Sequence, residues 1–65
     1  MCESSVFIVG ENNELRKTIK YVVDVNPIDG KVYLTDLFGN QNIIDGVIKE
    51  IRLMDHEIIL KESEK

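Results

Sequence analysis

The 65-residue chain holds one cysteine and one histidine, so its metal and nucleophile chemistry is confined to very few positions. Cys2 follows the initiator methionine directly, in the opening Met1-Cys2-Glu3-Ser4-Ser5-Val6-Phe7-Ile8-Val9. Methionine is commonly removed when the next residue is small, and cysteine is small enough. Removal frees an α-amine on the same carbon that carries the thiol. Nitrogen and sulfur of one residue then close a five-membered chelate ring around a metal at almost no conformational cost. Two such residues at a two-fold axis offer two nitrogens and two sulfurs, a flat set that suits nickel(II) or copper(II), whereas zinc prefers a tetrahedron. Thiolate tends to reduce copper(II), which leaves nickel as the more persistent occupant. The amine, with a reference pKa of about 7.7–8.0, and the thiol, about 8.5, must both lose protons, so affinity should fall as pH drops. A cysteine with no second ligand nearby in sequence is more often an incidental thiol, and on spacing alone both readings stay open.

The other chemical groups are weaker pointers. His56 sits between Asp55 and Glu57 in an expected turn, which reads as a solvent-facing histidine rather than a ligand. Arg16, Lys17 and Lys20 form the densest positive cluster, beside Glu11 and Glu14. Such a cluster is more often a solvated strand face than a nucleic-acid footprint. An RNA-binding alternative would place these three cations on phosphates and stack Tyr21 or Tyr33 on a base. Neither a P-loop, a dinucleotide fingerprint, a glycine-framed serine nor a Cys/His pair close in sequence is present, so no enzyme is expected.

Composition sets the limits within which these groups act. A formal charge of −4 works against nonspecific attraction to phosphate. At this length a single core is marginal, and below roughly 70–80 residues a disulfide, a metal or oligomerisation usually supplements it. One cysteine excludes an internal disulfide, so a partner subunit or a metal is the expected supplement. No apolar run approaches a membrane span and the start lacks a secretory signal, which points to a cytoplasmic protein with a reduced thiol.

The elements that must position Cys2 read as strands throughout. Ser5 to Val9 is a first strand ended by a turn over Gly10 to Glu14. Thr18 to Val25 alternates, with Ile19, Tyr21, Val23 and Val25 on the apolar face. Asn26 to Gly30 should turn the chain back into Lys31–Leu37. After a second turn, Asn42–Asp45 is short, and Gly46 marks a bulge or a close backbone approach before Val47 to Met54 continues. Glu57 to Lys61 closes the sheet after a turn at residues 55–57. Five to six short strands predict an all-β fold, a small antiparallel, partly open β-barrel of SH3-like size. Residues 1–62 form its single domain and residues 63–65 a disordered polar tail. The first strand, at a free edge, is the expected dimer seam, with each Cys2 facing its copy.

A resemblance covers nearly the whole chain. Met1-Cys2, the strand from Val6 to Val9, the central Val32-Tyr33-Leu34-Thr35-Asp36-Leu37-Phe38-Gly39, then Ile44-Asp45-Gly46, Ile51-Arg52-Leu53 and Ile58-Ile59-Leu60 resemble the CooT family of small nickel-binding proteins, which is also catalogued as predicted RNA-binding. The likeness runs from residue 1 to about residue 62. It implies a homodimer of small β-barrels with nickel(II) held at the subunit interface through Cys2. It also implies a metallochaperone role toward a nickel enzyme, carbon monoxide dehydrogenase.

Overall fold

The computed structural model describes residues 3–63, which form five strands and no helix: β1 (Ser4–Val9), β2 (Leu15–Ile28), β3 (Lys31–Asp36), β4 (Gln41–Arg52) and β5 (Glu57–Glu62). Consecutive strands pair antiparallel, and β1 then pairs parallel with β5, so the sheet closes into a ring. Side chains on alternate positions point to opposite faces, and those facing inward fill the ring. Val6 and Ile8 of β1, Ile19 and Val22 of β2, Val32 and Leu34 of β3, Ile44 of β4 and Leu60 of β5 make one buried cluster. Val25, Ile48 and Ile58 pack against it. No helix among the described residues is long and apolar enough to cross a membrane.

Three expectations change. The barrel is closed rather than partly open, and the pair that closes it is parallel. Residues 42–45 and 47–54 are not two strands: β4 runs unbroken through Gly46 to Arg52, giving five strands. Most importantly, β1 has no free edge. Ser5 to Val9 is in register with Glu57 to Lys61, and the other side of the strand is held by β2. Edge-to-edge pairing of β1 with a second copy is therefore closed off, because its backbone groups are already used.

The alternation in β2 also breaks. Tyr21 has φ 63 and lies where the β1 register shifts, and a second shift follows between Val22 and Asp24. Each extra residue switches the inward face by one position. The core positions are accordingly Ile19, Val22 and Val25, while Tyr21 and Val23 face solvent. Proline does not end this strand. Pro27 pairs with Val32, at a stretch of β2 beyond the end of its β1 partner, where a missing N–H breaks no second ladder. The turn is the two residues Asp29 and Gly30, both at positive φ, joining Ile28 to Lys31 as a tight hairpin.

Gly46 is the close approach rather than the bulge. It is buried opposite Glu62, and a Cβ there would run into the Lys61 carbonyl oxygen and come within 3.0 Å of the Glu62 Cα. Next to it the end of β5 is tied down, because the Ser63 amide donates to the Asp45 carbonyl at 2.8 Å. Ser63 thus follows the end of β5 with its amide bonded to β4, whereas residues 64 and 65 of the expected tail lie outside the described residues.

Backbone atoms cannot swing aside as a side chain does, so Gly46→Ala must separate β4 from β5. Overpacking of this kind costs about 1–3 kcal/mol, and in a domain of this size each kcal/mol lowers Tm by about 4–8 °C. Thermal melts followed by circular dichroism should show Gly46→Ala melting roughly 5–20 °C below wild type. An unchanged Tm would show that the strands have room to part.

Candidate functional site at the chain start

Closure of the ring decides what lies beside the chain start. The parallel register sets Ser5 against Glu57 and Val6 against Ile58, and the Ser5 amide donates to the His56 carbonyl at 2.9 Å. The β4–β5 turn over Leu53 to His56 is therefore the immediate neighbour of the entry to β1. It is closed by the His56 amide on the Leu53 carbonyl at 3.2 Å, with His56 at φ 54. At this end of the barrel the inward positions run out of partners and leave a groove of about 230 Å³. Ser4, Ile51, Arg52, Leu53, His56 and Ile58 line it. Its character is apolar with a charged rim. The Arg52 Nε donates to Glu50 Oε2 at 2.9 Å, and Arg52 Nη1 lies 3.8 Å from Glu57 Oε1. The hydrogen bond from Arg52 holds the Glu50 carboxyl below the ordinary carboxylate value, and Glu50 in turn raises the guanidinium.

Cys2 itself lies outside the described residues. His56 is exposed, beside this entry. Among the described residues no group of three or more His, Cys, Asp or Glu side chains is placed to hold a metal ion.

The basic trio is not gathered into one patch. Arg16 Nη2 is 3.0 Å from Glu14 Oε2 and Arg16 Nη1 is 3.1 Å from Glu62 Oε1, so its fork is engaged by two carboxylates. The Glu14 carboxyl is held low, by its backbone hydrogen bond first and by Arg16 second. Arg16, Lys17 and Lys20 are all exposed along β2, and a register shift against β1 falls at Arg16. Tyr33 is half-buried on β3. Tyr21 is 48% exposed and meets the edge of Phe38, ring centroids 6.0 Å apart at 79°. Sequence reasoning missed the Leu53–Met54 pair by extending a strand through it. Two large apolar residues directly before Asp55-His56-Glu57 were the available signal.

Comparison with known proteins places this geometry in a lineage. Residues 1–61 match the family model described as CO dehydrogenase accessory protein CooT. A crystal structure described as a candidate CooT from Carboxydothermus hydrogenoformans superposes with a TM-score of 0.77 at 34% identity, covering 97% of this chain and 100% of that one. No curated protein matches the chain.

The paired carboxylates Glu14 and Glu50 give a pH signature with a definite sign. Glu14 and Glu50 are held below their ordinary 4.5, so the folded state favours their charged forms. That contribution is complete above the ordinary value and is lost as pH falls through the lowered one. Urea midpoints measured from pH 7 down to pH 3 should therefore fall, and Glu50→Gln should fall less than wild type over the same interval. An identical decline in the two proteins would show that the Arg52–Glu50 pair adds nothing measurable, the common outcome for exposed pairs.

Proposed function

The chain belongs to the CooT family of CO dehydrogenase accessory proteins, and on that premise we propose that it is a nickel metallochaperone acting in the cytoplasm. An accessory protein of an enzyme is not itself the catalyst. In this reading nickel(II) is cargo, held once per homodimer. Each Cys2 supplies a thiolate and, after loss of Met1, an α-amine nitrogen or a nearby backbone nitrogen. The observation that carries the reading is the family match itself, which begins at residue 1 and so includes the cysteine.

The chemistry suits a carrier. A two-residue N2S2 set satisfies the planar preference of nickel(II) without enclosing it. Ligands that precede the first strand leave the metal open to a receiving site. Proton competition makes release easier in acid, since both amine and thiol regain protons there. The client follows from the family description: an apo form of carbon monoxide dehydrogenase, which needs nickel.

A second reading, RNA binding, is favoured by one observation. Tyr21, read from the sequence as a core residue, is turned outward by the β2 bulge beside the exposed Lys20 and is half exposed against the Phe38 ring. Against it stand the net charge of −4 and the engagement of Arg16 by Glu14 and Glu62.

Native mass spectrometry of untagged protein with equimolar nickel(II) should give a dimer lacking both Met1 residues and carrying one nickel. Cys2→Ser should bind none while melting at the wild-type temperature, because position 2 precedes the first strand. Nickel retained by Cys2→Ser sinks the chaperone reading. Anisotropy of a labelled single-stranded RNA at low salt decides the second: binding that is lost with Lys20→Ala and Tyr21→Ala supports it, and no binding removes it.

A further inference from the structure

Each of the two long strands changes neighbour partway along. β2 pairs with β1 up to Val22 and with β3 from there on, while β4 pairs with β3 up to Asp45 and with β5 from Gly46 onward. Each half therefore faces a strand on one side only among the described residues, and four half-edges interrupt the ring. Folded proteins blunt such edges with charged side chains, proline or bulges. The first half of β2 carries Arg16, Lys17 and Lys20 with a register shift, and its second half carries Pro27 behind another shift. The second half of β4 carries Lys49, Glu50 and Arg52, with a shift between Ile48 and Glu50. Gln41-Asn42-Ile43-Ile44 has no charge, no proline and an unbroken register with β3. We propose that this half-edge of β4 is a strand-addition site, where an extended segment of the client enzyme bonds the backbone of Gln41 and Ile43.

The open groups follow from the ladder. In an antiparallel pair, successive residues turn their N–H and C=O alternately toward and away from the partner strand. The Ser63 amide reaches the Asp45 carbonyl from the side away from β3. Ile43 and Gln41, two and four residues earlier, present their N–H and C=O to that same side, while Asn42 and Ile44 bond β3. The two-residue turn at Asp29 and Gly30 sets the phase on β2 in the same way. Ile28 and Lys31 flank it as the bonded pair, so the nitrogen of Pro27 faces the open side and has no hydrogen to offer. Proline thus stands on one half-edge at the kind of position that Ile43 holds on the other.

Three observations select an extended protein segment as the occupant. Alternating donors and acceptors along a strand match another backbone in strand form, and a phosphate chain offers no donors to meet the carbonyls. Continuity sets the direction: β5 already lies along β4 as far as Asp45, so an added strand that carries on its line runs antiparallel to β4. Length excludes a second copy, because residues 41–45 span about 17 Å. Two barrels meeting along so short a line fall well below the roughly 800 Å² per partner of a standard interface. The outer face adds selectivity. Ile43 is 53% exposed opposite the half-buried Tyr33, so the segment's residue beside them is apolar. The partner's identity as apo carbon monoxide dehydrogenase rests on the carrier reading, while the open half-edge does not.

Biolayer interferometry with immobilised, purified apo carbon monoxide dehydrogenase and the untagged full chain tests the assignment. Wild type should bind, and Ile43→Pro and Gln41→Pro should each weaken binding at least tenfold, since each removes an amide hydrogen that β3 does not use. Leu15→Ser, which trims an exposed apolar side chain on the first half of β2, should bind as wild type. Circular dichroism checks the barrel in each variant. Gln41 is the first residue of β4, where proline is tolerated, so Gln41→Pro keeps the test decisive even if Ile43→Pro unfolds. Hydrogen exchange of the complex should slow in the peptide spanning residues 41–45. Wild-type affinity in folded Gln41→Pro, an equal loss with Leu15→Ser, or a nickel-loaded wild type that does not bind the enzyme would each overturn the proposal. A chain that takes up no nickel, yet binds the enzyme and loses that binding with Gln41→Pro, would support the half-edge and remove the carrier reading alone.

Discussion

The parallel pairing of β1 with β5 is the contact on which the rest of the molecule depends. Without it the five strands form an open meander whose two outer edges expose unpaired amides and carbonyls. With it, Val6, Ile8 and Leu60 come together and complete a core that so short a chain could not otherwise enclose. The same pairing carries the beginning of the chain to the β4–β5 turn, since the Ser5 amide and the His56 carbonyl are part of one ladder. Core, groove and chain start are thus three results of one ring closure.

Much of this was legible in the sequence, and the exceptions have definite physical sources. Turn residues and period-two alternation located every strand except the join across Gly46, because a glycine in a strand signals either a break or a tight approach, and only the position of the neighbouring backbone tells which. Alternation misassigned Tyr21 and Val23, because a bulge inserts one residue without any glycine to mark it, and Tyr21 adopts the left-handed conformation itself. The parallel closure left no local trace: pairing of residue 5 with residue 57 is a long-range event, and nothing in either strand names its partner. Cys2 is singled out by its place behind Met1, whereas the groove between Ser4 and the β4–β5 turn depends on a contact between the two ends of the fold.

The surface charges divide along similar lines. A run of Arg16, Lys17 and Lys20 reads as a patch when written in a line. On the folded strand the long Arg16 side chain is taken up by carboxylates from a turn and from β5. At the opposite end Arg52 pairs with Glu50 within β4 and with Glu57 at the start of β5. Being exposed, these pairs shape orientation and surface potential more than stability.

Ring closure also sets an order in time. β1 is among the first segments synthesised and its parallel partner is the last, so at about 5–20 residues per second the ribosome withholds β5 for on the order of several seconds after β1 emerges. During that interval β2, β3 and β4 pair only with near neighbours, and the non-local contact that seals the core is the slow one. The chain therefore spends its synthesis as an unclosed sheet, because β1 is made before the β4–β5 turn and the β5 strand that complete the ring.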